Sequence, residues 1–276
     1  MPYNVITPVT PQNIVWGDLT GKAGYCLKVN DTETDVEILE LRTTWTLPTT
    51  DANVLFWYDY SNVTYSGNDI TAITDKSPNG NNATSLSMTS TKSSSTLNSK
   101  YYATLTTGKK HLVSANGCPT SGHAFMWFIL LRRTGSAFSD LLYNYGSGGN
   151  AIRISTSSDV LMSMNGTNVS VSSMTNNIRL LTYCYDGTNM KFYYNGELKN
   201  TTASAWTWTK YQLNFYDNGT DGGMFVGDIF ETLMYNDFDD DKRKRIEADI
   251  CYRWGVLSTS LYSGHTYYGV RPYTIP

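Results

Sequence analysis

Charge is scarce in this chain: Asp, Glu, Lys and Arg make up only 16% of its 276 residues, well below the usual quarter. The net charge is −3. Lys109-Lys110, Arg132-Arg133 and Lys242 to Arg245 are too short and scattered to form a basic footprint, so no nucleic-acid partner is expected. No run of about 18 apolar residues is present, and hence no candidate for a membrane-spanning helix. Met1-Pro2-Tyr3-Asn4-Val5 has neither a basic n-region nor an apolar h-region, so no signal peptide is read there and synthesis in a host cytoplasm is expected. The 4 cysteines, Cys26, Cys118, Cys184 and Cys251, form no C-x-x-C pair, which argues against structural zinc and for free thiols acting as small apolar fillers. His111, His123 and His265 are too dispersed for a catalytic or metal set, and no Ser-His-Asp spacing, P-loop or G-x-G-x-x-G occurs. Positive marks of catalysis are missing, and the expectation is a protein that is not an enzyme.

What replaces charge is Ser, Thr, Asn, Gly and 21 Tyr, a composition suited to many strands joined by polar turns. β character is consistent from about residue 52 to 255, a usual length for one large sandwich. Residues 1–50 differ. Pro2, Pro8 and Pro11 space an extended lead-in, then Tyr25 to Val29 and Val36 to Leu41 flank a polar turn and predict a hairpin. A lone hairpin is marginal in water, so this module needs something to pack on. Leu47-Pro48-Thr49-Thr50 reads as a linker.

Val54 to Tyr60 is apolar enough for an inner strand, while the Ser/Thr-rich stretch 84–99 reads as a surface loop. Leu180 to Tyr185 and Met190 to Tyr194, with the turn at Asn195-Gly196, predict a meander. One helix is predicted near the C-terminal end, capped by Asp239 or Asp240 and ended by Gly255. Its buried face carries Ile246, Ile250 and Trp254, and its wet face Lys242 to Arg245. Residues 256–276 read as an extended Tyr-rich tail.

Two stretches carry a resemblance to a known family. Leu55-Phe56-Trp57-Tyr58-Asp59, followed by Asp75-Lys76-Ser77-Pro78-Asn79-Gly80-Asn81-Asn82-Ala83-Thr84, is similar to the opening strand and loop of the laminin-G-like domains of the concanavalin A-like lectin/glucanase superfamily. Gly227-Asp228-Ile229-Phe230-Glu231, running on to Tyr235-Asn236 and then to Tyr252-Arg253-Trp254-Gly255, is similar to the family's closing strand and helix. Thr74 and Asn82 depart from the Trp and His common there, and residues 1–50 and 256–276 lie outside the match. The resemblance implies an all-β, concanavalin A-like jelly-roll sandwich over 51–255 with one short C-terminal helix. Lectins, glycan hydrolases and structural modules all use this fold, so function does not follow from it.

Several constellations have a chemical reading and a plainer one. Glu33-Thr34-Asp35-Val36-Glu37 fits a glucanase pattern in which alternate carboxylates stand roughly 5 Å apart, but it lies at a polar turn outside the sandwich and reads as a solvated hairpin. Asp228 and Glu231 are an odd number of positions apart on a strand, which predicts opposite faces and no shared reaction. Glu231 is expected to bond a neighbouring loop. Asp75 and Asn79 are expected to accept backbone amides within their turn. Asp217 and Asp221, with Asn218 and Gly-rich neighbours, form a weak Ca²⁺ candidate that reads more readily as an Asx-rich turn; no other cofactor is expected. Glycan binding needs exposed rings beside polar groups, and Tyr143, Tyr145, Trp206, Trp208, Tyr211 and Tyr216 are the candidates. Inward-facing rings would be core.

The expectation that joins these features is a virion structural or adhesion protein: a phage head fibre, decoration or tail-associated protein at the particle surface. Residues 1–50 would dock on other virion proteins, the sandwich would display a surface for a cell-surface glycan or protein, and the chain would self-associate. A free-standing lectin is the alternative, and a glycan hydrolase the third reading.

Overall fold

The computed structural model describes residues 25–29 and 36–40 and, from 48 to 269, all but 68, 87–89, 106–110, 115–118, 120–121, 136–138, 145–150, 155–159, 165–166, 172–175, 204–210 and 215–224. The chain divides into two compact units, Met1–Leu47 and Pro48–Pro276. In the first, β1 (Tyr25–Val29) and β2 (Val36–Glu40) form the hairpin predicted from the alternating residues, pairing antiparallel from Tyr25 opposite Glu40 to Val29 opposite Val36.

The second unit opens with β3 (Val54–Asp59), β4 (Val63–Ser66), β5 (Asp69–Ile73), β6 (Ala83–Leu86), β7 (Ser90–Lys92), β8 (Ala103–Leu105), β9 (His111–Ser114) and β10 (Phe125–Arg133). It continues with β11 (Ser139–Asn144), β12 (Ala151–Ile154), β13 (Val160–Met164), β14 (Thr167–Val171), β15 (Ile178–Tyr185) and β16 (Asn189–Tyr194). It closes with β17 (Glu197–Ala203), β18 (Tyr211–Asn214), β19 (Gly227–Tyr235) and the helix α1 (Asp240–Arg253). Strands β6 and β7, inside the stretch read as a loop, pair with β9 and β8.

All of these pairings are antiparallel. One layer is ordered β17-β16-β15-β10-β19, with β3 and β8 lying along successive parts of β19. The other runs β4-β5-β6-β9-β18-β11-β12-β13-β14, and β7 joins β8 to β5. The expected meander is β15-β16-β17. At its second turn Asn195 and Gly196 both take positive φ, +53° and +79°, the geometry that matches the twist of a two-residue hairpin.

The architecture is therefore an all-β sandwich with one short helix. Alternate residues of β10, Phe125, Trp127, Ile129 and Leu131, enter the core between the layers with Phe56, Tyr58, Ile73, Leu181, Tyr183 and Phe192. Trp127 stacks on Tyr183 with ring centroids 5.4 Å apart, a geometry worth about 1 kcal/mol beyond burial. The intervening Met126, Phe128 and Leu130 are fully buried too, because α1 packs on the outer face of this layer. A strand covered on both faces reads as a continuous apolar run instead of an alternating one.

Helix α1 begins and ends where its signals predicted. Asp239 caps it, accepting the Lys242 amide at 2.8 Å, and Asp240 and Asp241 occupy the first turn. Gly255 leaves the helix with φ +68°. Ile246, Ile250 and Trp254 are buried as expected, but the wet face is not as expected. Arg243 is 3% exposed and bonds Glu247 at 2.6 Å. Burial would draw the Arg243 pKa down, yet the Glu247 carboxylate outweighs it and the pKa rises.

Residues 256–269, expected to be extended, are a run of turns. His265 Nε2 lies 3.1 Å from Glu247 Oε2, and the Tyr267 amide donates to His265 Nδ1. An acceptor Nδ1 leaves the proton on Nε2, which can donate to the carboxylate. Ser260 donates its hydroxyl to the Ile178 carbonyl, and the Tyr262 amide donates to the Asn195 carbonyl. This segment is pinned to the layer and to α1 by the Ile178 and Asn195 carbonyls and the Glu247 side chain, all distant in sequence.

Candidate functional site

The two ends of the family resemblance meet in the central layer, where β19 lies between β10 and β3. Asp228 stands opposite Arg132 and Glu231 opposite Leu130, and the register shifts between Leu130 and Leu131. Since Arg132 and Leu130 are two apart on β10, Asp228 and Glu231 share a face. Strand parity had placed them on opposite faces. A bulge at Phe230 adds one residue to β19 and reverses the parity. Gly227, just before Asp228, has its place fixed by proximity: a Cβ there would lie 2.1 Å from the Arg132 carbonyl oxygen.

Sharing a face does not make these carboxylates a reactive pair. Asp228 is held by Arg132, whose Nη2 lies 2.6 Å away, and by the Thr104 hydroxyl at 2.8 Å. Glu231 is fully buried. It accepts the Trp57 indole N–H on Oε1 and the Trp254 indole N–H on Oε2, both at 2.7 Å, together with the Arg253 guanidinium. The expected loop partner is replaced by an opening strand and the end of a helix. Arg253 also pairs with Asp249 and lies over the Trp57 ring at 4.9 Å. One carboxylate thus ties both resemblance segments together.

Beside Glu231 in register, Asp59 accepts Lys76 at 2.6 Å and Ser61 at 2.6 Å, with Lys100 at 3.7 Å. Burial alone would raise its pKa, but the Lys76 and Ser61 hydrogen bonds and the Lys100 charge more than offset that, and the pKa is lowered.

The loop after β5 is organised by Asp75. Its Oδ1 accepts the Trp57 amide at 2.7 Å and the Ser77 amide at 2.8 Å. Its Oδ2 accepts the Ser77 hydroxyl at 2.7 Å and the Asn81 amide at 2.7 Å. That is the expected role for Asp75 but not for Asn79, whose Nδ2 donates to the Val54 carbonyl at 2.5 Å instead of accepting an amide. Asn81 likewise donates to the Leu55 carbonyl at 2.7 Å. These bonds stitch the loop to β3, which is a supporting role.

Asp186, at the β15–β16 turn, accepts the Thr188 and Asn189 amides and pairs with Lys191 at 2.9 Å. Slight burial raises its pKa, the Lys191 and backbone bonds lower it more, and the result is about 2. A carboxyl depressed below its unfolded value, near 3.9, adds stability that is complete above that value and lost as pH falls towards 2. Asp186→Asn is accordingly expected to flatten the loss of stability between about pH 4 and pH 2 in urea unfolding. An unchanged acid slope would show that the turn contributes nothing to it.

Of the proposed glycan platform, Tyr143 and Tyr211 lie on the paired strands β11 and β18, with Tyr143 opposite Gln212 and Asn144 opposite Tyr211. The ladder therefore brings these two distant segments together but sets Tyr143 and Tyr211 on opposite faces, so the two cannot both belong to one platform. Tyr145, Trp206, Trp208 and Tyr216, and the Ca²⁺ candidates Asp217 and Asp221, fall outside the described residues, as do Glu33 and Asp35. Glu37 lies in β2 opposite Lys28. Among the described residues no three His, Cys, Asp or Glu side chains are placed to hold a metal. No helix among them is long and apolar enough to cross a membrane.

No family model and no curated protein matches the chain. Solved structures do match in fold. The binding domain of Paraclostridial Mosquitocidal Protein 1 superposes with a TM-score of 0.55 at 12% identity, covering 74% of this chain and 55% of that domain. This chain thus spans about half the length of that toxin domain. Domain 4 of AbnA, an extracellular GH43 arabinanase from Geobacillus stearothermophilus solved with arabinotriose, gives 0.53 at 12% identity, over 69% of this chain and 96% of that one. The binding domain of Botulinum neurotoxin DC, solved with rat synaptotagmin II, gives 0.52 at 13%, over 72% and 52%. At these identities the likeness is one of fold, and it is a β-sandwich in each case.

Proposed function

We propose that this chain is a non-catalytic binding protein whose sandwich recognises a glycan, and that residues 1–47 attach it to a larger assembly, in our reading the surface of a phage particle. The observation that carries the first half is the use of the carboxylates: Asp59, Asp75, Asp228 and Glu231 are all committed to internal bonds, so these four described carboxylates form no acid/base pair. The structural relatives support the same reading. One was solved with arabinotriose and another with rat synaptotagmin II, and the first of these is matched over nearly its whole length. The second half is supported by the separation of the chain into a hairpin unit and a sandwich unit.

The proposed platform is Trp206 and Trp208 with Tyr145, Tyr216 and one of Tyr143 and Tyr211, because the β11–β18 register sets those two on opposite faces of the ladder. On a glycan array, Trp206→Ala and Trp208→Ala are expected to reduce retention of the preferred glycan at least ten-fold, as befits losing a stacked indole. Unchanged retention would remove that platform from the account. Mass spectrometry of purified particles tests the attachment: the protein is expected in virions, and its absence would sink the virion assignment.

A further inference from the structure

Where the chain enters the sandwich, a lysine stands between two carboxyls brought from both ends of the sandwich segment. Lys242, near the start of α1, places Nζ 2.6 Å from Oδ2 of Asp51, which precedes β3, and 2.8 Å from Oδ2 of Asp237, which follows β19. The ammonium lies over the Tyr235 ring, 4.2 Å from its centroid. The Lys242 and Asp51 side chains are 17% and 10% exposed, so water has little access to their contact. The other oxygen of Asp51, Oδ1, accepts the Asn53 amide at 2.9 Å, and the Asn53 side-chain amide donates to Asp237 Oδ2 at 3.1 Å. Asp237 Oδ1 is buried without a hydrogen-bond partner among the described residues. Burial and the Asp51 and Asp239 charges raise the Asp237 pKa by more than Lys242 lowers it. Three other lysine partners differ. Burial acts on Asp59, Asp186 and Asp240 too, but hydrogen bonds and basic neighbours outweigh it and their pKa values are lowered. Those three are held as anions, whereas Asp237 is disposed to keep a proton.

We propose that Lys242 and Asp51 are joined by an isopeptide bond, formed by the folded chain itself with Asp237 as the proton relay. A nitrogen hydrogen-bonded to a carboxyl oxygen stands within about 3.5 Å of the carboxyl carbon, a near-attack separation that the fold holds in place. Proton transfer from Nζ to Asp51 gives the reacting form, an amine beside a carboxylic acid. Nζ then attacks Cγ, the charge that develops on Oδ1 is met by the Asn53 amide, and the Cγ–Oδ2 bond breaks. Of the three protons on the Lys242 ammonium, one stays on the new amide nitrogen and two leave with Oδ2 as water. Asp237 relays them, accepting from Nζ and donating to Oδ2, and ends as it began. No oxidant, cofactor or outside reactant takes part. The product ties the entry to β3 covalently to α1, so that tension on the chain before Asp51 loads the helix as well as the strand. The bond is independent of the glycan-binding reading.

The test is the intact mass of the full chain, purified and held at neutral pH, followed by proteolysis and sequencing of the fragments. A mass lower than the sequence mass by one water is expected, together with a branched peptide that contains both Asp51 and Lys242. Lys242→Arg keeps the charge but lacks the primary amine, and is expected to show its full mass. Asp237→Asn keeps both reacting groups and is expected to stay at full mass over the time in which the parent becomes linked. Circular dichroism certifies the fold of each variant, and the parent's own mass is read without any substitution. The full sequence mass in the parent overturns the bond, and so does a loss of water without the branched peptide, the mark of an imide elsewhere. Equal linkage in Asp237→Asn overturns the relay. Glycan retention by Lys242→Arg is expected to match the parent's, so the bond and the binding reading stand or fall separately.

Discussion

Glu231→Ala is expected to lower the unfolding free energy of the sandwich by about 4 kcal/mol, the scale for removing one partner from a buried, hydrogen-bonded charge set. For a unit of this size that corresponds to a fall in melting temperature of roughly 10 °C. The loss comes from the groups left behind. Trp57 and Trp254 each keep a buried indole N–H without its acceptor, and Arg253 keeps a charge paired only with Asp249. Glu231→Gln is the sharper variant, because it keeps the volume and one acceptor oxygen while presenting an NH₂ to donors. About half the loss is expected. Trp57→Phe should then cost less in the Glu231→Ala background than in the parent, since contacting residues are not additive. A loss below about 1 kcal/mol on Glu231→Ala would show that apolar packing alone holds the helix to the layer.

The second large effect is at Asp75. Asp75→Ala is expected to cost about 3 kcal/mol, since four donors, three of them backbone amides, lose a charged acceptor at a site 7% exposed. Asp75→Asn separates charge from shape. Its carbonyl oxygen can serve the Trp57 and Ser77 amides, but its NH₂ would then face the Asn81 amide, donor against donor, while the Ser77 hydroxyl can turn to accept from it. It is expected to recover only part of the stability. Amide hydrogen exchange provides a local check: the Trp57 amide should exchange faster in Asp75→Ala while amides in β15 and β16 keep their protection relative to global unfolding. Loss confined to melting temperature, with Trp57 still protected, would contradict the role assigned to this loop.

Much of the fold could be read from local pattern. The β1–β2 hairpin, the β15–β16–β17 meander with Asn195-Gly196, and the caps of α1 all depend on residues within a turn of one another, where short-range rules are strongest. What escaped was set by distant contacts. Arg243 looks like a solvent-facing charge until Glu247 and His265 are placed around it, and His265 comes from a segment that has no periodicity to betray its folding. The shared face of Asp228 and Glu231 depends on a bulge at Phe230, a residue type that does not announce one, and any parity count along β19 fails once it is crossed. Asn79 was given the right loop and the wrong polarity, because an amide can donate or accept and the choice belongs to the carbonyls of β3. Nothing in the sequence around Asp51 marks it, and only the fold shows that it meets Lys242. The strands of Tyr143 and Tyr211 pair in the β11–β18 ladder in a register that sets the two on opposite faces, a pairing across about 70 residues that no window along the chain reveals.

The central claim is that this sandwich binds a glycan and does not cleave it. The most direct measurement incubates the full chain with an immobilised glycan array and records, on the same spots, both retained protein and released sugar. The account predicts retention on a defined subset of glycans, sensitive to Trp206→Ala and Trp208→Ala, with no sugar released. Retention nowhere on the array, or release of sugar from the spots that bind, would contradict it.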